Sequence, residues 1–338
     1  MLFDLGILRE KEFNIPVISI GNITVGGTGK TPHIEYLIRL LKNNFKVAVL
    51  SRGYKRKTKG FILADELSDA EMIGDEPCQI KRKFPDVEVA VDSNRRNGIE
   101  KILSLLKDVD VILLDDAFQH RYVKPGLSIL LIDYNRLITE DYVLPFGRLR
   151  EPASGRKRAD IVLISKSPEK LNQIEQNKIV KNLKLNQLQS LFFTTIVQDK
   201  LIPVFKDIKV IDISEPGDSG FSILLVSGIA VPGDLKRFAR NISSKINEIQ
   251  FRDHHLFTNK DLYKIIHEFE TLEAIKKILI TTEKDAMRLQ KYSDLPENLK
   301  NRMFYIPISV EFLNDDSEKF NYQIINYVTN NQRNGNLH

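Results

Sequence analysis

One stretch limits what this chain can fold into: Gly21-Asn22-Ile23-Thr24-Val25-Gly26-Gly27-Thr28-Gly29-Lys30-Thr31-Pro32. The apolar run Ile15 to Ile20 precedes it, and Ile34, Leu37, Ile38 and Leu41 follow at helical spacing. Strand, glycine-rich loop and helix are the setting of a phosphate-binding loop. Glycine lets the backbone turn tightly and aim its N–H groups inward, and the new helix adds its positive end. In such a loop Lys30 reaches the outer phosphates and the Thr31 hydroxyl holds Mg²⁺. The usual pattern has a glycine where this chain has Thr24; Gly26, Gly27 and Gly29 sit close to the lysine instead. The bland alternative is an ordinary strand–helix turn rich in glycine. Pro32 suits the first helical turn on either reading, because its missing N–H is not needed there.

Around this loop, short apolar strands alternate with helical patterns. Lys46 to Ser51, Val87 to Val91, Val109 to Leu114, Leu127 to Ile132 and Ile161 to Ile164 read as buried strands. Ala70 to Phe84 reads as a helix broken near Asp75 and Pro77. The expected fold class is α/β: a P-loop NTPase-like parallel sheet flanked by helices, with a second, smaller α/β domain. We place the nucleotide-binding domain at 1–190, a two-stranded linker at 191–220, and the smaller domain at 221–338. That domain should hold a strand at Ile223 to Val226, a helix at Gly233 to Ile242, a helix at Asn259 to Phe269 and a late strand at Phe304 to Val310. The polar tail, Asn330 to His338, is expected to fray. In parallel sheets ligands sit at the carboxyl ends of the strands, so residues just after each strand are the candidates.

At 338 residues the chain is long enough for two domains. Its lone cysteine, Cys78, forms no internal bridge, which fits a reducing compartment. No secretory signal or membrane-spanning apolar run is expected. The net charge of +5 is clustered: Arg52, Lys55, Arg56, Lys57 and Lys59 form one run, and Arg148, Arg150, Arg156, Lys157 and Arg158 another. Such runs suit anionic lipid or a phosphorylated substrate, or are simply solvated faces. No nucleic-acid motif accompanies them, and no aromatic residues are interleaved, so nucleic acid is not an expected partner.

Asp115 and Asp116 close the apolar strand Val111-Ile112-Leu113-Leu114, where a carboxylate could orient Mg²⁺; turn-forming acids at a strand end are the plainer reading. Gly74-Asp75-Glu76-Pro77 reads equally as a helix start or as the placement of a proton acceptor. Glu151, beside Arg150, is either a surface ion pair or a metal or substrate contact. Asp253-His254-His255 could orient a catalytic histidine, though most histidines are structural. Thr281-Thr282-Glu283-Lys284-Asp285-Ala286 is first a helix-capping signature.

Taken in order, these motifs resemble the tetraacyldisaccharide 4′-kinase family. The resemblance is carried by the loop above together with Ser51-Arg52-Gly53-Tyr54, Gly74-Asp75-Glu76-Pro77, Asp115-Asp116-Ala117-Phe118-Gln119-His120, Leu149-Arg150-Glu151-Pro152, Phe251-Arg252-Asp253-His254-His255 and Thr282-Glu283-Lys284-Asp285-Ala286. It implies an ATP- and Mg²⁺-dependent kinase at the cytoplasmic face of a bacterial inner membrane. Such an enzyme phosphorylates the 4′-hydroxyl of tetraacyldisaccharide 1-phosphate and makes lipid IVA in lipid A biosynthesis. Carried over by position, Thr24, Val25, Gly26, Gly27, Thr28, Gly29, Lys30 and Thr31 bind nucleotide. Thr31, Glu151, Asp115 and Asp116 serve the metal, and Lys30, Asp75 and His254 are catalytic, with Asp75 as proton acceptor paired to His254. Tyr54 and Arg150 contact the lipid. The resemblance also implies peripheral membrane attachment and no obligate protein partner. Family members carry an apolar or amphipathic helix before the first strand; here Leu2, Phe3, Leu5, Ile7 and Leu8 form the apolar set. The competing expectation is a P-loop switch ATPase acting on a protein partner, although Val25 stands where such ATPases carry a signature lysine.

Overall fold

The computed structural model describes residues 3, 8–198, 200–205, 220–228, 233–252, 255–273, 276–292 and 294–335. The chain divides into two units, Met1–Ile196 with Val310–His338, and Val197–Ser309.

The first unit begins with β1 (Val17–Asn22), α1 (Lys30–Leu41), β2 (Val47–Ser51) and the short β3 (Ile62–Leu63). Two helices follow, α2 (Ala70–Ile73) and α3 (Asp75–Lys83), then β4 (Glu88–Val91), α4 (Arg95–Leu105), β5 (Val111–Asp115), β6 (Leu127–Asp133), β7 (Ile161–Ser165), α5 (Gln173–Leu183) and β8 (Ser190–Gln198). The second unit holds β9 (Ile202–Pro203), β10 (Ser222–Ser227), α6 (Gly233–Ile242), β11 (Ile246–Gln250), α7 (Asn259–Glu270), β12 (Lys277–Thr282), α8 (Glu283–Leu289), α9 (Glu297–Lys300) and β13 (Met303–Ile306). The chain then returns to the first unit through β14 (Ile308–Phe312) and α10 (Ser317–Gly335).

The first sheet runs β14-β8-β7-β6-β1-β5-β2-β4-β3. From β8 to β4 every pairing is parallel, and β3 adds an antiparallel edge. Strands covered on both faces must be apolar throughout, and β5 is buried at every position. Alternate residues point to opposite faces. Ile18, Ile20, Val49 and Leu113 pack under Ile34, Leu37, Ile38 and Leu41 of α1, Ile80 of α3, and Phe320, Ile324 and Val328 of α10. Val17, Ala48, Leu50, Ile112 and Leu114 face Ile99 and Ile102 of α4. The α/β sheet expected from the sequence is therefore present, with β1 at its centre between β5 and β6.

Two expectations changed. The late strand at 304–310 is two strands: β13 pairs with β12 in the second sheet, while β14 lies beside β8 in the first. The tail is helical up to Gly335, with 336–338 outside the described residues, because Phe320, Ile324 and Val328 form an apolar stripe under its polar face. The second sheet, β11-β10-β12-β13-β9, is parallel except for β9. Of the expected linker at 191–220, residues 199 and 206–219 lie outside the described residues; its two strands belong to the two sheets, β8 to the first and β9 to the second.

Candidate active site

The glycine loop leaves β1 at the carboxyl edge of the first sheet and opens α1. Gly29 is the residue before the helix, with φ +79°, a backbone that favours glycine. Asn22, fully buried at the end of β1, donates from Nδ2 to Thr28 Oγ1 at 2.7 Å and ties the far side of the loop to the strand. At the near side the Val25 N–H donates to the Arg148 carbonyl at 2.8 Å, and Thr24 bridges to Leu149. Thr24 and Val25, expected to bind nucleotide, are thus joined to the chain before Glu151. Gly26 to Thr31 make up the rest of the loop and the first residues of α1.

From Lys30 a polar chain runs across the strand ends. Lys30 Nζ lies 3.6 Å from Asp116 Oδ1. Arg150 Nη1 donates to both Asp116 oxygens and to Gln119 Oε1, each at 3.4 Å. Gln119 Nε2 donates to the Asn22 carbonyl and to Glu151 Oε1. Arg158 Nη2 donates to Glu151 Oε1 at 2.9 Å and Oε2 at 2.8 Å, while its guanidinium covers the Phe118 ring. Five of the expected residues (Lys30, Asp115, Asp116, Arg150 and Glu151) therefore belong to one edge. In this arrangement both Glu151 oxygens are engaged by Arg158.

Asp115 differs from its neighbour. It is buried, accepts from Ser51 Oγ at 3.2 Å, and its backbone carbonyl accepts from Arg95 Nη2 at 3.0 Å. Burial pushes its carboxyl up to about 6; Asp116 and Glu76 add to that, while Lys30 and Arg95 oppose it. A buried carboxyl with a second carboxylate next to it in the chain suits a divalent cation. Among the described residues no group of three or more His, Cys, Asp or Glu is gathered as a cage. Mg²⁺ fits such a site, because it is commonly held by one or two carboxylates plus substrate phosphates.

Asp75 opens α3 straight after Gly74, at the break expected in the helix. Gly74 has φ +94°, and a Cβ there would lie 3.2 Å from the Gly53 Cα. Two glycines thus let Ser51-Arg52-Gly53-Tyr54 and Gly74-Asp75-Glu76-Pro77 lie side by side, which no local pattern foretells. Tyr54 is exposed. His254 and Asp253 lie outside the described residues. His255 is structural: its Nε2 is 2.9 Å from Asp261 Oδ2 and its ring stacks on Phe251. The capping expectation at Thr282 holds, since its hydroxyl accepts from the Asp285 N–H and donates to Asp285 Oδ2 at 2.7 Å.

Gln119, quoted above only within a motif, Arg158, quoted only within a basic run, and His33, Ser165 and Lys166 are not among the expected site residues. Ser165 and Lys166 follow the very rule used above, since they end β7 at the same sheet edge. His33 gives no sign of this role because Thr194, its second partner, is far along the chain, and Arg158, seven residues from Glu151, is visible only as one member of a basic run.

A lysine-bearing phosphate loop beside an acid pair, at the carboxyl edge of a parallel sheet, is the apparatus of a P-loop phosphotransferase. The chain belongs to the tetraacyldisaccharide-1-P 4′-kinase family, whose pattern it matches over residues 1–329. It is 50% identical over 338 residues to the tetraacyldisaccharide 4′-kinase of Phocaeicola vulgatus, covering 99% of this chain and 92% of that one. It is 46% identical over 337 residues to the enzyme of that name from Flavobacterium psychrophilum, covering 99% and 93%. The Aquifex aeolicus LpxK crystal structure in complex with ATP superposes with a TM-score of 0.72 at 29% identity, covering 97% of this chain and 92% of that one.

Proposed function

We propose that this chain transfers the γ-phosphoryl group of ATP to the 4′-hydroxyl of tetraacyldisaccharide 1-phosphate, yielding lipid IVA and ADP in lipid A biosynthesis. Membership of the family carries the reaction. The single structural observation behind the chemistry is the chain Lys30–Asp116–Arg150–Gln119–Glu151 along the loop.

In the proposed mechanism, Gly26 to Lys30 cradle the phosphates and Lys30 neutralises charge on the transferring group. Thr31, Asp115, Asp116 and Glu151 would hold Mg²⁺, which supplies charge neutralisation when bound. The sugar hydroxyl forms the new O–P bond as the bond to ADP breaks, and Asp75 takes the hydroxyl proton. His254 is proposed as the partner of Asp75 on the motif resemblance. Arg150 and Tyr54 are proposed lipid contacts.

The acceptor carries acyl chains, and the same edge offers apolar surface. Tyr142, Leu144 and Phe146 are 73%, 50% and 90% exposed in the segment that pairs with Thr24 and Val25. The backbone around them is ordered, with Leu144 N donating to Leu149 O and Leu149 N to Tyr142 O. Together with the basic run at 52–59, this supports the proposal that the loop edge meets the cytoplasmic surface of the inner membrane. Among the described residues no helix is long and apolar enough to cross a membrane.

The test is incubation with γ-labelled ATP, Mg²⁺ and the lipid in detergent micelles. Label should appear on the 4′ position in step with ADP, and Lys30→Ala should abolish it. Label on water alone would contradict the proposal.

A further inference from the structure

We infer that three side chains outside the glycine loop (Lys166, Ser165 and His33) set the phosphate cradle by holding the carbonyl side of its peptides. This rests on the nucleotide-binding reading of the loop and adds positioning residues to it.

Lys166 Nζ donates to the Gly27 carbonyl. Ser165 Oγ donates to the Thr28 carbonyl at 2.9 Å. His33 Nδ1 lies 2.7 Å from the Gly29 carbonyl, which only accepts, so Nδ1 carries the hydrogen. Three successive carbonyls are held from outside the loop. A trans peptide is planar, with its C=O and the following N–H pointing opposite ways. Fixing the carbonyls of Gly27, Thr28 and Gly29 therefore fixes the N–H groups of Thr28, Gly29 and Lys30 on the other side. Consecutive amides aimed together form an anion-binding concavity.

The holding groups are themselves secured. Ser165 is completely buried at the end of β7. Lys166 also contacts Asp133 Oδ2 at 3.1 Å, and its own backbone adopts φ +57°. Asp133 is buried; burial alone would push its carboxyl up, but Lys166, the Asn135 N–H and Arg136 outweigh that and hold it below its ordinary value. His33 is buried inside the first turns of α1. With the hydrogen on Nδ1 of a neutral ring, Nε2 accepts from Thr194 Oγ1 at 3.0 Å on β8. The loop is thus held from three elements, β7, α1 and β8. A glycine loop without such supports would sample many orientations and lose cradle geometry to entropy.

A merely structural role predicts lower thermal stability with unchanged nucleotide affinity. A positioning role predicts lost ATP affinity with the lipid KM intact. Ser165 is the cleanest probe, because a completely buried hydroxyl behind the loop touches no nucleotide. The experiment measures Mg·ATP affinity without lipid by calorimetry, the KM for ATP and for lipid, and the thermal midpoint. The variants are Ser165→Ala, Lys166→Met, His33→Leu and His33→Asn, whose amide N–H can replace Nδ1–H. Ser165→Ala, Lys166→Met and His33→Leu should each weaken ATP binding by roughly tenfold, the scale of one lost hydrogen bond. The lipid KM should stay unchanged, and His33→Asn should recover most of the loss. ATP affinity within twofold of wild type in both Ser165→Ala and His33→Leu would overturn the inference, as would His33→Asn being as poor as His33→Leu. Failure of the wild type itself to bind ATP would overturn the nucleotide reading, and this inference with it.

Discussion

Glu35 of α1 holds Lys83 of α3 at 2.7 Å, and the same buried carboxylate accepts from Gln79 Nε2 at 3.0 Å and pairs with Arg39 at 3.1 Å. The helix that begins at Lys30 is thereby locked to the helix that begins at Asp75. Glu35→Ala removes the acceptor and leaves Gln79 buried without its partner. We expect a stability loss of about 1–3 kcal/mol in denaturant unfolding. Because Asp75 is then less firmly placed, kcat should fall by about ten- to a hundredfold, and more than the KM for ATP rises. Equal changes in both would show that the lock does not serve Asp75.

Acid should weaken the fold through His33. Burial pushes this imidazole down to about 4 from the ordinary 6.5, although its Gly29 hydrogen bond opposes that shift. The unfolded chain therefore binds a proton at a pH where the folded chain does not, and stability falls as pH drops from 6.5 towards 4. The contribution lost between pH 8 and pH 5 is about 2 kcal/mol. His120, also pushed down to about 4 by burial and the nearby Arg95 and Arg52, adds a second, separable contribution. Thermal unfolding at both pH values should show a smaller pH dependence in His33→Asn than in the wild type. Identical slopes would refute the assignment.

Glu151 is expected to serve the metal, yet Arg158 engages both its oxygens. Glu151→Gln should raise the Mg²⁺ concentration for half-maximal turnover by about tenfold or more, while Arg158→Met, which leaves the carboxylate in place, should shift it less. A Mg²⁺ titration of turnover decides this. A larger shift in the arginine variant would put Glu151 outside the metal's reach.

The apolar segment should matter only where the lipid sits in a bilayer. Replacing Leu144 and Phe146 by serine removes exposed apolar surface without touching the polar chain at the site. Turnover on substrate in anionic vesicles should fall by roughly tenfold, with turnover in detergent micelles nearly unchanged. Parallel losses in both would mean the segment acts in the site itself.

Much of this was legible in the sequence because local chemistry and global fold agree. The apolar strand ending at Asp115, the break at Gly74 and the helix Gly233–Ile242 all carry short-range signals. The features that stayed hidden depend on residues far apart in the chain. Glu35 sits beside an ordinary helical stripe, and only the fold brings Lys83 to it. The tail looks polar because its buried stripe is thin, so the return of α10 over β1, sealed by Tyr327 Oη accepting from the Val17 N–H at 3.1 Å, could not be read locally. Ser165 and His33 are ordinary residues until their neighbours are known.

The most direct test is label transfer from γ-labelled ATP to tetraacyldisaccharide 1-phosphate, wild type beside Asp75→Asn, with ATP binding measured on the same samples. Labelled lipid is expected from the wild type, with a loss of about 10²–10⁴ in kcat and unchanged ATP affinity in the variant. A variant that transfers phosphate at the wild-type rate would contradict Asp75 as the proton acceptor.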